Sequence, residues 1–286
     1  MRPGGHMNKL RRTRGGMLVA EYAILMIGVF FSVFPIYFVV QAALRPGNQL
    51  YTTTLQIFPS DATLDNFRYV LTQIPLLLWV WNSVKIALAT TVATLLITVP
   101  AAYALSHFHF RGRAAILTGL LALQAFPAAL ALPAFYLILM RTGLLNTHAG
   151  LILIYAAGAT AFNVWNIKGY FDTVPQEITE AALLDGATPT QAFLMVMLPL
   201  VRPVLAVTAL FGFLAGFGDF ILANTVLFDE KLYTAPVGVF GLQNGYRNPW
   251  GWFAACALIV ALPITAVFLY LQRHLVSGLA AGGVKG

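Results

Sequence analysis

Four of the chain's ten acidic residues, Asp172, Glu177, Glu180 and Asp185, crowd into one stretch, DTVPQEITEAALLDGATPTQAFLMVMLPLVRP, residues 172–203. Two more, Glu21 and Asp219, lie inside apolar runs. A carboxylate can move a proton, hold a metal or meet a partner, and its neighbours decide which. Glu177 and Glu180 are neighbours at i, i+3 on a helical surface, and no pair of carboxylates is spaced for acid–base catalysis. The chain has no H-E-x-x-H and no C-x-x-C, and it lacks the G-x-x-x-x-G-K-[ST] loop that cradles phosphates. AAGGVKG at the end has glycines and a lysine but neither the spacing nor the following hydroxyl. His107 and His109 flank a basic loop and His148 and His274 sit at the ends of apolar runs, which are interfacial positions rather than a ligand set. Cys256 is the single cysteine, so an internal disulfide and a cysteine-rich metal cluster are both excluded. The chemistry on offer is docking and hydrogen bonding, and any energy source must be another subunit.

The elements that must position these residues are membrane elements. The 286 residues are 59% apolar and only 9% charged, with a mean hydropathy of +0.78. A water-soluble globule could not cover that much apolar surface, whereas a bilayer solvates it. The net charge of +7 does not imply nucleic acid, because most of the 17 Lys and Arg flank apolar runs as topology signals do. A spanning helix needs about 20 apolar residues, and six runs qualify: 17–44, 83–106, 114–140, 151–167, 204–228 and 252–271. Pro127 and Pro133 interrupt the third and predict a kink. Residues 1–16 form a basic leading segment, and the first of them, a glycine pair followed by His6-Met7, resemble a cloning scar or an alternative start. The run after them is too long for a signal-peptide core and reads as a retained first span.

Basic residues orient the spans. With the N-terminus inside, eleven fall on the cytoplasmic side: Arg2, Lys9, Arg11, Arg12, Arg14, Arg111, Arg113, Lys168, Arg202, Arg273 and Lys285. Six fall outside: Arg45, Arg68, Lys85, Arg141, Lys231 and Arg247. That asymmetry predicts both termini in the cytoplasm. Trp79, Trp81, Trp250 and Trp252 then collect near the outer interface, where amphipathic rings belong. The expected fold is all-α, with six transmembrane helices.

This topology puts residues 172–203 in the cytoplasm between the fourth and fifth spans. Thr173 with Gln176 reads as a capping box and Pro175 as a first-turn residue, so a helix is expected to start there and run to about Asp185. Gly186 can take the left-handed conformation that ends it. Thr188, Pro189 and Gln191 predict a second capped start, and Pro199 and Pro203 a break before the chain re-enters the membrane. Two capped helices joined at Gly186, with small Ala181 and Ala182 on one face, suit close docking against another protein. A connector lying on the bilayer is the plainer alternative, and the residues alone leave both open.

EAALLDGATPTQAFLMVMLP, residues 180–199, resembles the EAA loop of ABC-importer permeases: Glu-Ala-Ala, a Gly six residues after the Glu, and a later Leu-Pro. PLLLWVWNSVKIAL, AYALSHFHFRGRA, LLNTHAGLILIY, NVWNIKGYFDTV and QRHLVSGLAAGGVKG extend the resemblance to the MalG-type permeases of maltose/maltodextrin importers, covering most of the chain. Related permeases for trehalose, other oligosaccharides or glycerol phosphate look similar. The resemblance implies a type I ABC-importer permease fold over residues 17–286 in the bacterial cytoplasmic (inner) membrane. It also implies partners: a MalF-like second permease, two MalK-like ATPase subunits that hold ATP and Mg, and an extracytoplasmic sugar-binding protein. No cofactor is implied in this chain, and no nucleic acid. In that frame residues 172–203 are the coupling loop. Glu180 is the motif's glutamate and a partner for an ATPase arginine, Ala181, Ala182 and Gly186 allow close approach and the bend, and Asp185 and Pro199 complete the segment.

The resemblance also implies that the outer loop 229–250 reaches into the binding protein's cleft, with Gln243, Asn244, Gly245, Tyr246 and Asn248 near its tip; an ordinary hairpin is the alternative. It implies that the tail 272–286 inserts between the ATPase subunits, against the plain reading of a frayed end. It further implies that the high-affinity membrane sugar site falls mainly to the other permease. Asp219 reads as a mid-span acid with Gly216 and Gly218 just before it, costly unless it faces protein or a wet cavity. With Gln124 and Asn224 it is a candidate pathway residue, and Asn163 and Asn166 are further in-span polar groups that could equally bond helix to helix. An ion-coupled secondary transporter using Asp219 is the rival of a different class. It is disfavoured because there is one such acid and no repeat of the hydropathy pattern.

Overall fold

The structure is a computed structural model that describes residues 5–48, 61–243 and 248–282. Thirteen α-helices follow one another with no strand among the described residues. They are α1 (Gly5–Leu44), α2 (Asp65–Thr72), α3 (Leu76–His107), α4 (Arg113–Gln124), α5 (Leu132–Thr142), α6 (His148–Phe171) and α7 (Gln176–Leu184). Next come α8 (Pro189–Gln191), α9 (Leu198–Leu200), α10 (Arg202–Gly218), α11 (Ile221–Val226), α12 (Ala235–Phe240) and α13 (Trp250–Gly282). A π-helical segment, Ala192–Met197, joins α8 to α9.

Four segments are long and apolar enough to cross a membrane: Glu21–Leu44, Leu76–His107, His148–Phe171 and Trp250–Gln272. The count reaches six if each of two bent pairs is one span. The first pair is Arg113–Gln124 with Ala129–Thr142, bent by 90°. The sequence predicts a kinked helix there, but the turn is sharper. Pro127 is extended (φ −63°, ψ 115°) and Pro133 opens a new helix, so the ladder is interrupted rather than flexed. The second pair is Pro189–Leu200 with Arg202–Gly218, bent by 78° at Val201 between Pro199 and Pro203.

The chain forms two compact units. In the smaller, residues 1–74 and 244–259, buried Asn66 donates to the Ala43 and Arg45 carbonyls at 2.9 and 2.8 Å. Tyr69 stacks on Trp252 with ring centroids 3.7 Å apart.

The larger unit, residues 75–243 and 260–286, is built on α3, which packs along both α6 and α10. Close approach of α10 depends on Gly216, where a Cβ would lie 2.9 Å from the Ala87 Cα. Gly218 has open space around it and plays no such part. Three clusters of buried apolar residues lie in this unit. One gathers Ile86, Leu151, Tyr155 and Val226; a second, Ala87, Phe213 and Phe217. The third gathers Val99, Ile167, Phe171, Met197, Val201 and Val204, so it draws on α3, α6, α10 and the polar stretch between the last two.

Gly216→Val is therefore expected to cost about 1–3 kcal/mol through overpacking, visible as a lower melting temperature in detergent, whereas Gly218→Ala should melt within a degree or two of wild type. Equal melting of the two variants would show that α3 and α10 do not depend on that contact.

Candidate functional site

The stretch 172–203 folds as two elements around Gly186. Asp172 ends α6, and the backbone turns at once, with Thr173 N–H donating to the Tyr170 carbonyl (3.0 Å) and Val174 N–H to that of Phe171 (3.1 Å). Inside this turn the Thr173 hydroxyl donates back to the Tyr170 carbonyl at 2.8 Å. It does not cap the next helix, contrary to the sequence reading, because Val174 and an extended Pro175 carry the chain away before α7 opens at Gln176. The far end behaves as predicted. Asp185 is the last residue before Gly186, whose φ of +89° is the left-handed turn that favours glycine. Both halves of the second capping box form: Gln191 N–H donates to Thr188 Oγ1 (3.3 Å) and Thr188 N–H to Gln191 Oε1 (2.8 Å).

This elbow presents Glu180, Ala181, Asp185 and Gly186 outward, with Ala182 and Pro199 half-buried. It also presents apolar side chains that the sequence reading did not single out. Leu184 is 89% exposed and Met195 73%, while Met197, two residues on, is fully buried in the third core. A helical stretch that seats one face in the core and aims leucine and methionine outward has a surface that fits contact with another apolar surface. The signal was present in EAALLDG: Leu184 is the last residue of the helix before the bend, where a helix face turns away from its own protein.

Where α6 meets this loop lies the single ion pair found among the described residues. Lys168 Nζ meets Asp172 Oδ2 at 2.5 Å, and Ser106 Oγ donates to Asp172 Oδ1 at 2.7 Å. Burial raises the Asp172 pKa, but the bonds from Lys168 and Ser106 and the charges of Lys168 and Arg113 outweigh it, so the carboxyl stays below its ordinary value. Because the folded pKa is depressed, the stabilisation is complete at neutral pH and is lost only as pH falls through that lowered value. Sequence reasoning counted Asp172 as one acid of four and did not separate it by its bonds to Lys168 and Ser106.

Asp219 stands at a break between helices. It ends α10, and its Oδ1 accepts from the Leu222 and Ala223 N–H groups of α11 at 3.0 and 3.2 Å and from the Tyr155 hydroxyl at 2.7 Å. The carboxylate thus caps one helix and ties it to α6, which is a structural use for the acid. Asp219 and Tyr155 also line a half-open cavity of about 570 Å³ whose walls, including Leu132, Phe135, Ile154 and Leu214, are mostly apolar. Gln124, at the end of α4, and Asn224, on α11, are exposed and not among its lining residues. Asn163 is buried and donates to the Ala159 carbonyl within its own helix.

The loop after α11 is not a hairpin. Residues 230–232 make a 3₁₀ turn and 235–240 form α12. The segment is pinned to α3: Trp79 Nε1 donates to the Glu230 carbonyl (3.1 Å), Asn82 Nδ2 to those of Lys231 and Tyr233 (2.9 and 3.0 Å), and Ala235 N–H to Ser83 Oγ (2.8 Å). Of the expected tip residues, Gln243 is exposed and Asn248 is half-buried, while Asn244, Gly245 and Tyr246 lie outside the described residues.

A family model described as binding-protein-dependent transport system inner membrane component matches residues 95–280. The maltose/maltodextrin transport system permease protein MalG of Photorhabdus laumondii is 41% identical over 288 residues, covering 94% of this chain and 96% of that protein. The galactooligosaccharides transport system permease protein GanQ of Bacillus subtilis is 38% identical over 273 residues, covering 94% and 96%. Among solved structures, the chain matches one from a bacterial ABC transporter involved in the import of the acidic polysaccharide alginate, with a TM-score of 0.77, 23% identity, and coverage of 92% of this chain and 97% of that one.

Loss of the Asp219 cap is expected to weaken the molecule without stranding another charge. Asp219→Asn keeps an acceptor oxygen and should melt close to wild type, while Asp219→Leu should lose about 0.5–2 kcal/mol, the range for a missing helix cap. Thermal unfolding in detergent measures both, and a neutral Asp219→Leu would show that the three bonds to Oδ1 do not hold α11.

Proposed function

Since the chain belongs to the family of binding-protein-dependent transport system inner membrane components, we propose that it is the non-catalytic permease subunit of an ATP-driven importer for maltose or maltodextrins. Its partners in this reading are a MalF-like second permease, two MalK-like ATPase subunits holding ATP and Mg, and an extracytoplasmic sugar-binding protein. The substrate rests on the relative of maltose/maltodextrin function at 41% identity. The galactooligosaccharide relative at 38% motivates a second reading in which the sugar differs and the machinery does not. Uptake of labelled maltose, maltotriose and a galactooligosaccharide through the reconstituted complex separates them.

One observation carries the mechanism: an exposed elbow, α7–Gly186–α8, whose continuation is seated in the core of the spans. In the N-in topology this elbow faces the cytoplasm and is the coupling segment. Leu184 and Met195 enter an apolar cleft of an ATPase subunit, Glu180 pairs with a cation there, and Ala181 lets the surfaces close. Nucleotide-driven closure of the ATPases then displaces the elbow. Met197 and Phe193 sit in the same core as Val99, Ile167 and Val204, so the displacement reaches α3, α6 and α10. A packed core transmits such movement because it resists compression. Asp219 serves here as a helix cap bordering the cavity, and ATP rather than an ion gradient drives transport. On the opposite side the pinned loop 229–243 presents Gln243 toward the binding protein, and the tail 272–286 contacts the ATPase pair.

Glu180→Lys and Leu184→Asp should each insert normally yet reduce ATPase co-purification and sugar uptake at least tenfold, since each sets a charge against the docking surface. Gly186→Pro should do the same by denying the left-handed φ. Wild-type recruitment and uptake in all three would reduce the elbow to a connector. Deleting residues 278–286 should leave assembly intact and lower sugar-stimulated ATP hydrolysis by a few-fold; an unchanged stimulated rate would make the tail dispensable.

A further inference from the structure

The elbow is joined to the spans at a second place, independent of the apolar core. Ser106 is the next-to-last residue of α3 and only 7% exposed, and Lys168, in the last turn of α6, is 8% exposed. Asp172 bridges them, one carboxylate oxygen to each. Around this bridge the same end of α3 is gripped by rings. Tyr103, one turn before Ser106 and His107, meets Phe171 edge-on at 5.5 Å and Phe193 at 4.7 Å. The last turn of α3 therefore touches the residues that enter the loop, Phe171 and Asp172, and a residue from its second half, Phe193.

The connection from Asp172 to α7 is short and stiff. Only Thr173, Val174 and Pro175 intervene. The first two are tied back to α6 by backbone bonds, Val174 packs on the third core, and proline holds φ at −58°. A side chain that only balanced the Lys168 charge would need no second helix. Asp172 instead spends its other oxygen on a hydroxyl of α3, 66 residues away in sequence. An ionised acceptor makes that bond stronger than a neutral one, and the Ser106 end of it is buried.

We propose that Asp172 is a positioning residue for energy coupling, joining Ser106 and Lys168 in a clasp that makes the last turn of α3 move with α7 when an ATPase subunit displaces the elbow. The inference rests on the permease reading above and deepens it. The core transmits push, because packed side chains resist compression. The clasp transmits pull, because a directed bond between charged and polar groups resists separation where apolar contact does so weakly.

Ser106→Ala is the decisive variant, since it removes the α3 side of the clasp and leaves the Lys168–Asp172 pair intact, so no buried charge is stranded. In complexes reconstituted with the binding protein, sugar-stimulated hydrolysis and uptake per assembled complex should fall about tenfold, the scale of one hydrogen bond to a charged group. The KM values for nucleotide and sugar should stay unchanged, and Ser106→Thr, which keeps the hydroxyl, should recover the rate. A Ser106→Ala complex that runs at the wild-type stimulated rate overturns the proposal. So does one that changes KM alone, or one that is lost from the membrane, because the bond would then serve binding or assembly. A wild-type complex that shows no sugar-stimulated hydrolysis overturns the permease reading itself, which distinguishes the two failures.

Discussion

A backbone amide or carbonyl left without a partner in a bilayer costs several kcal/mol, and this constraint governs where the chain can stop being helical. Several breaks have a side chain that meets the freed backbone groups. Asp219 takes the first amides of α11. Asn146, with its own φ at +58°, accepts from Phe228 and Asp229 as α11 ends. Asn82 and Ser83 on α3 meet the carbonyls and the amide of the turn after it. Thr188 and Gln191 cap each other at the elbow. The polar residues of a chain with 9% charge are few, and many of them are used to make irregular backbone tolerable rather than to do chemistry.

That allocation explains why in-span polar residues mislead when read as a transport path. Asp219 has the position of a proton carrier but the bonds of a cap. Asn163 turns its amide back on its own helix, and Thr91 and Thr98 donate to carbonyls four residues earlier. Interior polar atoms without a hydrogen-bond partner among the described residues include the hydroxyls of Thr90, Thr94 and Thr208 and the Asn163 Oδ1. They lie on α3, α10 and α6, the three helices that pack most closely together. Their seam is polar enough to hydrogen-bond and small enough to let helices approach, a combination suited to helices that shift against one another.

The elbow differs from the spans in how it is held. Spans are solvated by lipid and need only side-chain complementarity with neighbours. The elbow is stabilised by caps, a left-handed glycine, one ion pair and a share of the third core, and it keeps Leu184 and Met195 exposed. Its π-helical segment widens the helix by one residue between Gln191 and Leu198. That turns Met195 outward while Ala192 and Met197 stay in, a division of faces that a regular α-helix of the same sequence would not make.

Much of this was legible in the residues. Apolar runs, flanking charges and tryptophans announced a polytopic helical protein, and Thr188-Pro189-Thr190-Gln191 and Gly186 specified a cap and a bend, because these signals act through local sterics and local hydrogen bonds. Other features depended on which helices become neighbours. Thr173 spells a capping box and does not form one, because the turn after α6 takes its hydroxyl first. Pro127 and Pro133 mark an interruption, but composition does not set a 90° bend. Nothing in the sequence distinguishes Asp172 from Glu177. One is clasped by a serine 66 residues away and the other faces outward, and only the packing of α3 beside α6 decides that. Local rules determine where helices begin and end, whereas a carboxylate's role is set by the donors that tertiary contact brings within 3 Å of it.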